Sequence, residues 1–483
     1  MKDFDVIIIG SGIGGLISAG ILASRGLKTL LIEKNPTPGG YLASFRRGNF
    51  IFDSAVDCIS GVAPGGLINK ALKLLNVDKD IDFVRVSPVR LSIFPDIEVN
   101  VDSDMNAYLQ RLTLLFPSER DTIKNFFTLM DRVYRDIQLT TEKMVSGKFD
   151  LDQTSSLLLK LRNISYKELL DEYILDARLK SILSDRCPFI GLPPSRASAF
   201  SMIAMIMSYF KQGAYRPVGG FQKLADTFIK GIMDKGGMVI FGNGVKKILL
   251  KNNHCCGIQC ENGDEYTAED IVSNMDFVHT FNNLLGGEHR HIAEHRLKNT
   301  GVSISFFIVY AAITGDIDRH SSIGYFPSYD MESFFMADRT FQDDSTIGIT
   351  IASIEDKTRA PAGCHTVVVH EMVESFDKKT DKAQCAEKII KKAGRVIPEL
   401  KDRIQVLDAA SPQTLMKYSG NFNGAAFGWR QIPGNRSTQD YGIDNLSIAG
   451  HWGDMGGGVL AAAYSGAKAA CDILQKKGLI CDI

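Results

Sequence analysis

Residues 4–33 constrain the fold more than any other stretch of this chain. FDVIII (4–9) is a continuous run rich in β-branched residues, as in a strand buried on both faces of a parallel sheet. It runs into Gly10-Ser11-Gly12-Ile13-Gly14-Gly15, then into LISAGILASRG, which has helical spacing through Leu16, Ala19, Ile21 and Leu22. KTLLI (28–32) is the next strand, and Glu33 closes it. Each part has a mechanical task in a dinucleotide site. Gly10 permits the tight turn, Gly12 lets the backbone approach a pyrophosphate, and Gly15 lets the helix pack closely on the sheet. The helix N-terminus offers N–H groups and partial positive charge to phosphates. Glu33, 18 residues beyond Gly15, is spaced to accept hydrogen bonds from ribose hydroxyls. This segment alone does not distinguish NAD from FAD.

A chain of 483 residues exceeds one small core and predicts two intimately connected domains. Lys plus Arg number 55 against 56 Asp plus Glu, a net charge of −1 that argues against a nucleic-acid partner. Nine cysteines are scattered through the sequence. Cys255, Cys256 and Cys260 cluster, but no second cluster or nearby His pair completes a zinc pattern, so no metal is expected. Reduced, structural thiols are the expectation for all nine. The apolar N-terminal run is punctuated by glycines, preceded by Asp3 and Asp5 and followed by no cleavage-site pattern. It reads as a buried strand and helix of a cytoplasmic protein.

Beyond Glu33 the sequence resembles the phytoene desaturase family of flavin amine-oxidase-like proteins, which includes carotenoid isomerases and retinol saturases. In that family the acid is followed by a Gly-Gly pair and an FD motif, matched here by Gly39-Gly40 and Phe52-Asp53. Residues 215–250 resemble the family's central block: a Gly-Gly start, a helix, a strand, then Val245 in the next turn, where members lay backbone against the adenine. The run ending at VSNMDF (272–277) also fits. The third block, LSIAGHWGDMGGGVLAAAYSGAKAACDIL (446–474), is a strand, a Gly-rich turn and a helix. In the family that helix N-terminus faces the flavin ring and pyrophosphate, carrying Gly450, Asp454, Gly456, Gly457 and Gly458 over. Consecutive glycines let the backbone lie flat against an isoalloxazine, and a helix dipole stabilises negative charge on reduced flavin.

The resemblance implies FAD as the cofactor. The implied contacts are Gly10, Gly12, Ile13, Gly14, Gly15, Glu33, Lys34, Gly39 and Gly40 from the first block and Val245 from the second. Gly450, Asp454, Gly457, Gly458 and Val459 come from the third. Two positions depart from the commoner pattern. Tyr41 follows the Gly-Gly pair where many members have Arg, and Met455 stands where many have Pro. Isomerases and saturases also lack that Arg, and GGGVLAAAYSG resembles those groups more than bacterial phytoene desaturases.

The implied fold class is α/β: a discontinuous, Rossmann-like FAD-binding domain of the glutathione-reductase type, with an α+β substrate domain built on an antiparallel sheet and helices. Residues 1–70, 216–290 and 430–483 would form the first domain, and 71–215 and 291–429 the second. Residues 70–215 read as mostly helical, through YLQRLTLLF (108–116) and SLLLKL (156–161). SISFFIVYAAI (303–313), TIGITIASI (346–354) and HTVVVHEMV (365–373) read as strands. The loop DKTRAPAGCH (356–365) resembles one shared by the family and has a structural role.

AFSMIAMIMSYF (199–210) is nearly unbroken apolar sequence, too short to span a membrane. It reads as core and, through adaptable methionines, as the wall of a hydrophobic tunnel, with Met205 and Ile206 as its test positions. No Ser/His/Asp or Cys/His constellation is evident. Asp57 and His451 lie near the expected flavin face, with structural roles favoured over proton transfer, and Trp429 is a candidate pocket residue. The implied activity is oxidoreduction at carbon–carbon bonds (desaturation, isomerisation or saturation) of a long hydrophobic polyene or isoprenoid such as a carotenoid. Peripheral membrane contact is compatible with an enzyme that extracts a lipid, although no basic amphipathic helix marks it. The rivals are an amine oxidase, disfavoured by an aromatic content of 9%, and a non-enzymatic prenyl-protein-binding relative such as the Rab escort and GDP-dissociation-inhibitor proteins, which lack an intact flavin site.

Overall fold

The first strand, β1 (Lys2–Ile9), runs through the middle of a seven-stranded sheet. The computed structural model describes residues 2–150, 154–374, 380–398, 400–434 and 441–483. β1 is flanked in parallel by β2 (Thr29–Ile32) and by Glu265–Ser273. Met238–Ile240 extends the sheet beyond β2, and Leu446–Ile448 pairs with the far half of Glu265–Ser273, both in parallel. The near half of Glu265–Ser273 pairs antiparallel with His254–Cys260, which forms a hairpin with Val245–Lys251. Segments from the beginning, middle and end of the chain thus share one parallel core. Their apolar runs are continuous because both faces are covered.

Helix α1 (Ile13–Ser24) follows β1 directly, and every residue from Ile13 to Ala23 is buried. A helix this apolar on all sides needs neighbours all round. It finds them in Phe221–Asp234 and the C-terminal helix Val459–Lys476. The crossing with the C-terminal helix is backbone on backbone. Ser18 Oγ donates to Gly466 O at 2.8 Å, and a Cβ on Gly466 would lie 2.1 Å from Gly14 O.

A second seven-stranded sheet has the order Ile404–Ala410, Ser305–Thr314, Cys364–Val373, Ile347–Thr350, Ser322–Tyr325, Arg90–Phe94, Ile97–Val101. It is antiparallel except where Ser322–Tyr325 meets Arg90–Phe94 in parallel. The three expected strands lie within it, and the expected helices are Met105–Leu115 and Ser156–Asn163. The largely helical reading of 70–215 needs correcting at its start. RLSIF and IEVNV form a hairpin that extends the second sheet, and Phe83–Arg85 pairs with Tyr215–Pro217. Alternating polar and apolar residues about Pro95-Asp96 carry that signal. The helices of this region surround their own apolar core, with Arg120–Val145 the longest at 26 residues.

The all-thiol expectation is also corrected. Cys471 and Cys481 are joined in a disulfide, and the other seven cysteines are free. The chain turns back after the C-terminal helix, bringing the two Cα atoms to 5.3 Å, and Arg25 pairs with Asp482 to hold the tail.

A buried ionic network ties a loop between two strands of the second sheet to the hairpin Ser44–Asp53 and to the start of helix Phe221–Asp234. Arg359 donates from Nε to Asp356 Oδ2 at 2.8 Å and from Nη1 to Asp53 Oδ2 at 2.7 Å. The N–H of Gly219 donates to Asp356 and that of Phe221 to Asp53. The FD motif, the 356–365 loop and the start of helix Phe221–Asp234 are therefore locked at one point. Replacing Arg359 by Met would leave two buried carboxylates without their cation. We expect that variant to lose about 3–5 kcal/mol of unfolding free energy in urea titration; a loss under ~1 kcal/mol would mean the network is not load-sharing as described.

Candidate cofactor and substrate site

Parallel sheets present ligand sites at the carboxyl ends of their strands, and here that edge opens onto one cavity of about 760 Å³. Every expected cofactor contact lines it except Gly15. Gly10, with φ +94°, turns the chain out of β1. Gly12, Ile13 and Gly14 begin α1, where the N-cap residue Gly12 supplies no side-chain cap, leaving the first-turn N–H groups for a ligand. Gly15 points away from the cavity: a Cβ there would sit 2.0 Å from Gly10 O, so its task is the close seating of helix on strand.

Glu33 lies at the end of β2 and is 6% exposed. Its Oε2 accepts from Ser11 N at 2.9 Å and Ser11 Oγ at 2.7 Å, and its Oε1 accepts from Asn35 N at 2.9 Å and Asn35 Nδ2 at 3.0 Å. Gly39 N donates to Ser11 O at 3.0 Å, which brings Gly39-Gly40 against the first turn. Lys34 is exposed on the rim, its Nζ donating to Lys417 O at 3.3 Å. Val245 lines the cavity beside Gly244 and Glu261, as the first residue of a strand rather than within the preceding turn.

The third block completes the wall. After strand Leu446–Ile448 the chain makes a short 3-10 turn at Gly450–Trp452, then runs through Asp454 and Gly456–Gly458 into the C-terminal helix at Val459. Gly458 likewise provides no side-chain cap for that helix. A Cβ on Gly14 would lie 2.6 Å from Gly450 N, so the first and last blocks touch through their backbones. Asn274, in the VSNMDF segment, was not singled out from sequence. Its Nδ2 donates to Gly10 O at 3.3 Å, and its amide borders Gly12, Gly14 and Gly450. Its position just past the carboxyl end of the strand beside β1 is the signal that could have marked it.

Around the opposite wall stand residues of mixed character. Tyr41 donates through its hydroxyl to Ala425 O at 2.9 Å and rests edge-on against His451. His451 Nε2 lies 3.1 Å from Asn421 Oδ1, which also accepts from Trp452 Nε1 at 2.8 Å. Burial lowers the His451 pKa to about 4, so the ring is neutral. His370, on strand Cys364–Val373, is held at about 4 by the same cause. Asp276 is pushed up to about 6 by burial, although Phe422 N and His279 N both donate to it. Asp57 lies on the cavity but is bonded to Arg216 (2.5 Å) and Ser322 Oγ (2.6 Å), which fits the favoured structural role. Trp429 does not line the cavity. It is buried against Phe277 and Trp452, and its Nε1 donates to Trp452 O.

Beyond the glycine wall the cavity continues into a largely apolar chamber. One face of helix Ala199–Gln212 lines it through Phe200, Ser201, Ala204, Met205, Ser208, Tyr209 and Gln212. Met205 therefore faces the chamber as expected. Ile206 does not; it faces a small void among Tyr108, Phe127 and Phe210 in the helical core, because one residue of helix turns a side chain by 100°. Phe189, Phe306, Phe427, Leu158 and Ile432 supply further wall. Tyr134, Tyr209 and Tyr464 join Phe189, Phe200, Phe306 and Phe427 as aromatic side chains on this wall. No group of three or more potential metal-ligating His, Cys, Asp or Glu side chains occurs among the described residues, and no described helix is long and apolar enough to cross a membrane.

Comparison with known proteins agrees with this geometry. The model of the flavin containing amine oxidoreductase family matches residues 13–474. The chain is 24% identical to a chloroplastic prolycopene isomerase of Daucus carota, across 99% of this chain and 81% of that one. It is 25% identical to the all-trans-retinol 13,14-reductase of Macaca fascicularis, across 88% of this chain and 77% of that one. Among solved structures, a redesigned putrescine oxidase superposes with a TM-score of 0.67 at 15% identity, covering 98% and 99% of the two chains, which shows the shared fold.

The buried titratable groups make the stability of this region pH-dependent in a signed way. Unfolded histidines protonate near about 6.5 and aspartates near about 3.9. Between those values the unfolded chain holds protons on His370 and His451 that the folded chain refuses. Stability present above pH ~6.5 is therefore lost as pH falls toward ~4. Asp276 acts oppositely: the folded chain keeps its proton up to about pH 6, so its stabilisation at low pH is lost as pH rises. In urea unfolding between pH ~4.5 and ~5.5, His451→Gln should flatten the dependence of unfolding free energy on pH by about one proton. Asp276→Asn should steepen it by about one, or ~1.4 kcal/mol per pH unit. Unchanged slopes in both variants would contradict the assigned burial.

Proposed function

The chain belongs to the flavin-containing amine oxidoreductase family, with FAD as its cofactor, and from that premise we propose an oxidoreductase acting on carbon–carbon bonds of a long apolar polyene or isoprenoid. The observation that carries the proposal is the continuity of the glycine-walled cradle with the chamber behind Met205, Phe200 and Phe306. The prolycopene isomerase and retinol reductase relatives support it. In this reading residues 1–70, 216–290 and 430–483 form the FAD-binding domain, and 71–215 and 291–429 the substrate-binding domain.

Glu33 would accept the ribose hydroxyls, the first turn of α1 with Gly12, Ile13 and Gly14 would hold the pyrophosphate, and Gly39-Gly40 and Lys34 would border it. Val245 would lie against the adenine. Gly450, Asp454, Gly457, Gly458 and Val459 would face the flavin end. Bound flavin supplies the hydride or electron pair. The chain's own part is to orient the substrate and exclude water, which the apolar wall does. The positive end of the C-terminal helix favours negative charge at the reacting end. Neutral His451 is fixed by Asn421 and Tyr41, and Asp57 is committed to Arg216, so neither is assigned a proton-transfer step. Phe149, which both lines the cavity and is 37% exposed, and the exposed Leu139 support peripheral membrane contact at the rim.

The aromatic side chains on the chamber wall make amine oxidation the second reading. Holoenzyme incubated with phytoene, a cis-lycopene and retinol, each with anaerobic dithionite or with a quinone, separates the possibilities. The expected result is cis-to-trans conversion, or loss of one double bond, only after reduction. Met205→Asp should abolish it while the protein keeps its FAD. A longer chromophore formed only with an oxidant would establish desaturation instead. Peroxide released from a primary amine, with no change in any polyene, would overturn the carbon–carbon reading.

A further inference from the structure

The carboxylate of Glu33 has no acceptor site to spare. Each carboxylate oxygen offers two lone pairs, and Ser11 N, Ser11 Oγ, Asn35 N and Asn35 Nδ2 take all four. A ribose hydroxyl therefore reaches Glu33 only in exchange for a resident donor. Two of the four are main-chain N–H groups, fixed by the course of the chain. Ser11 is wholly buried, and its Oγ also accepts from Gly39 N at 3.3 Å. Asn35 is half-buried and lines the cavity. Its Nδ2 donates at once to Glu33 Oε1 and to Tyr418 O, the latter at 2.9 Å. Both neighbours are acceptors, so the amide has one possible orientation.

Tyr418 O belongs to a strap along the cavity. Helix Pro412–Ser419 ends at Gly420, and Lys34 and Asn35 donate to Lys417 O and Tyr418 O, two of the carbonyls that a helix end leaves open. Tyr418, Ser419, Gly420 and Asn421 line the cavity. Beyond them Phe422 N donates to Asp276 Oδ2 at 2.7 Å. Gly420 and Gly424, with φ of +77° and +66°, are turning points on either side. Tyr418 is 62% exposed and Phe422 38%. Lifting Lys417–Asn423 therefore breaks a handful of hydrogen bonds and uncovers little apolar core.

We propose that Glu33 Oε1 and Asn35 Nδ2 part to admit a ribose hydroxyl of FAD, Asn35 donating to it and Glu33 accepting from it. No hydrogen bond is lost in the exchange, because a hydroxyl both accepts and donates. Asn35 then holds the cofactor with one amide proton and the strap with the other. The strap gains a ligand beneath it and is held closed while the adenosine end is occupied. By linkage, loss of that anchor weakens cofactor binding by the same factor. The proposal rests on the assignment of Glu33 to the ribose and is independent of the chemistry in the apolar chamber.

The test follows amide hydrogen exchange at Gly420 and Phe422, two N–H donors of the strap. The full chain is stripped of cofactor and then given FAD, ADP, or dideoxy-ADP, which lacks both ribose hydroxyls. FAD and ADP should slow exchange about tenfold. The dideoxy form should bind more weakly and slow it by less than about twofold. FAD-loaded Asn35→Ala should exchange at the rate of the stripped protein and release FAD about fivefold faster than the unaltered holoenzyme. Equal protection by ADP and its dideoxy form would overturn the proposal. Full FAD-dependent protection in the Asn35→Ala holoenzyme would do the same, Asn35 then merely propping Glu33. Should the dideoxy form fail to bind, the Asn35→Ala holoenzyme decides; should that variant fail to fold, the ligand series on unaltered protein decides. Failure of ADP to bind would overturn the proposal and the ribose assignment together, leaving the reading of the apolar chamber intact.

Discussion

Contact between backbones at Gly14 is the constraint on which the rest of the molecule depends. On one side Gly14 abuts Gly450, and on the other its carbonyl lies against Gly466. No side chain larger than hydrogen fits between, so α1 and the C-terminal helix can be brought together at a distance that only glycine permits. That approach sets two helix N-termini, one at Ile13 and one at Val459, onto the same cavity. Asn274 then bridges the turns with its amide, where an apolar side chain would leave Gly10 O without this partner. The cradle is thus made mostly of main chain, and in the proposed reading its specificity for a phosphate-bearing cofactor would come from where N–H groups are left over rather than from charged side chains.

Buried charge fixes how the cradle meets the second sheet. Arg359 holds Asp53 and Asp356, while Arg216 holds Asp57 and Glu355. Both arginines are almost wholly buried, and each reaches carboxylates from distant parts of the chain. Such pairs add little net stability over apolar packing, but they are expensive to break. Their effect here is positional: the FD motif and the strand carrying His370 and the neighbouring Phe306 and Ile308 are held where the cavity passes from glycine wall to apolar wall.

Much of this was legible in the sequence, for reasons that differ between regions. The strand–glycine–helix–acid order fixed the cradle, since each step follows from local geometry, and nearly all the residues it implicated face one cavity. Long-range companions were harder to see. Ser11, Asn35 and Asn274 are common turn residues, and only the meeting of distant segments gives them tasks. The hairpin Arg90–Val101 was hidden by the helical character of its surroundings. Ile206 and Met205 are indistinguishable in an apolar run until the phase of the helix is known. Trp429 read as a pocket residue because tryptophan suits both pocket and core; its indole N–H is satisfied inside the core by Trp452 O.

The cofactor content of the purified protein bears most directly on the central claim, that three distant glycine blocks form one FAD cradle. The chain should release one FAD per molecule on denaturation, identified by chromatography. Gly12→Val should release none while keeping its circular dichroism, because a Cβ at Gly12 meets only the end of the Asn274 side chain, at 2.9 Å, and otherwise projects into the place of the pyrophosphate. Full FAD occupancy in folded Gly12→Val protein, or a nicotinamide dinucleotide released in place of FAD, would contradict the account.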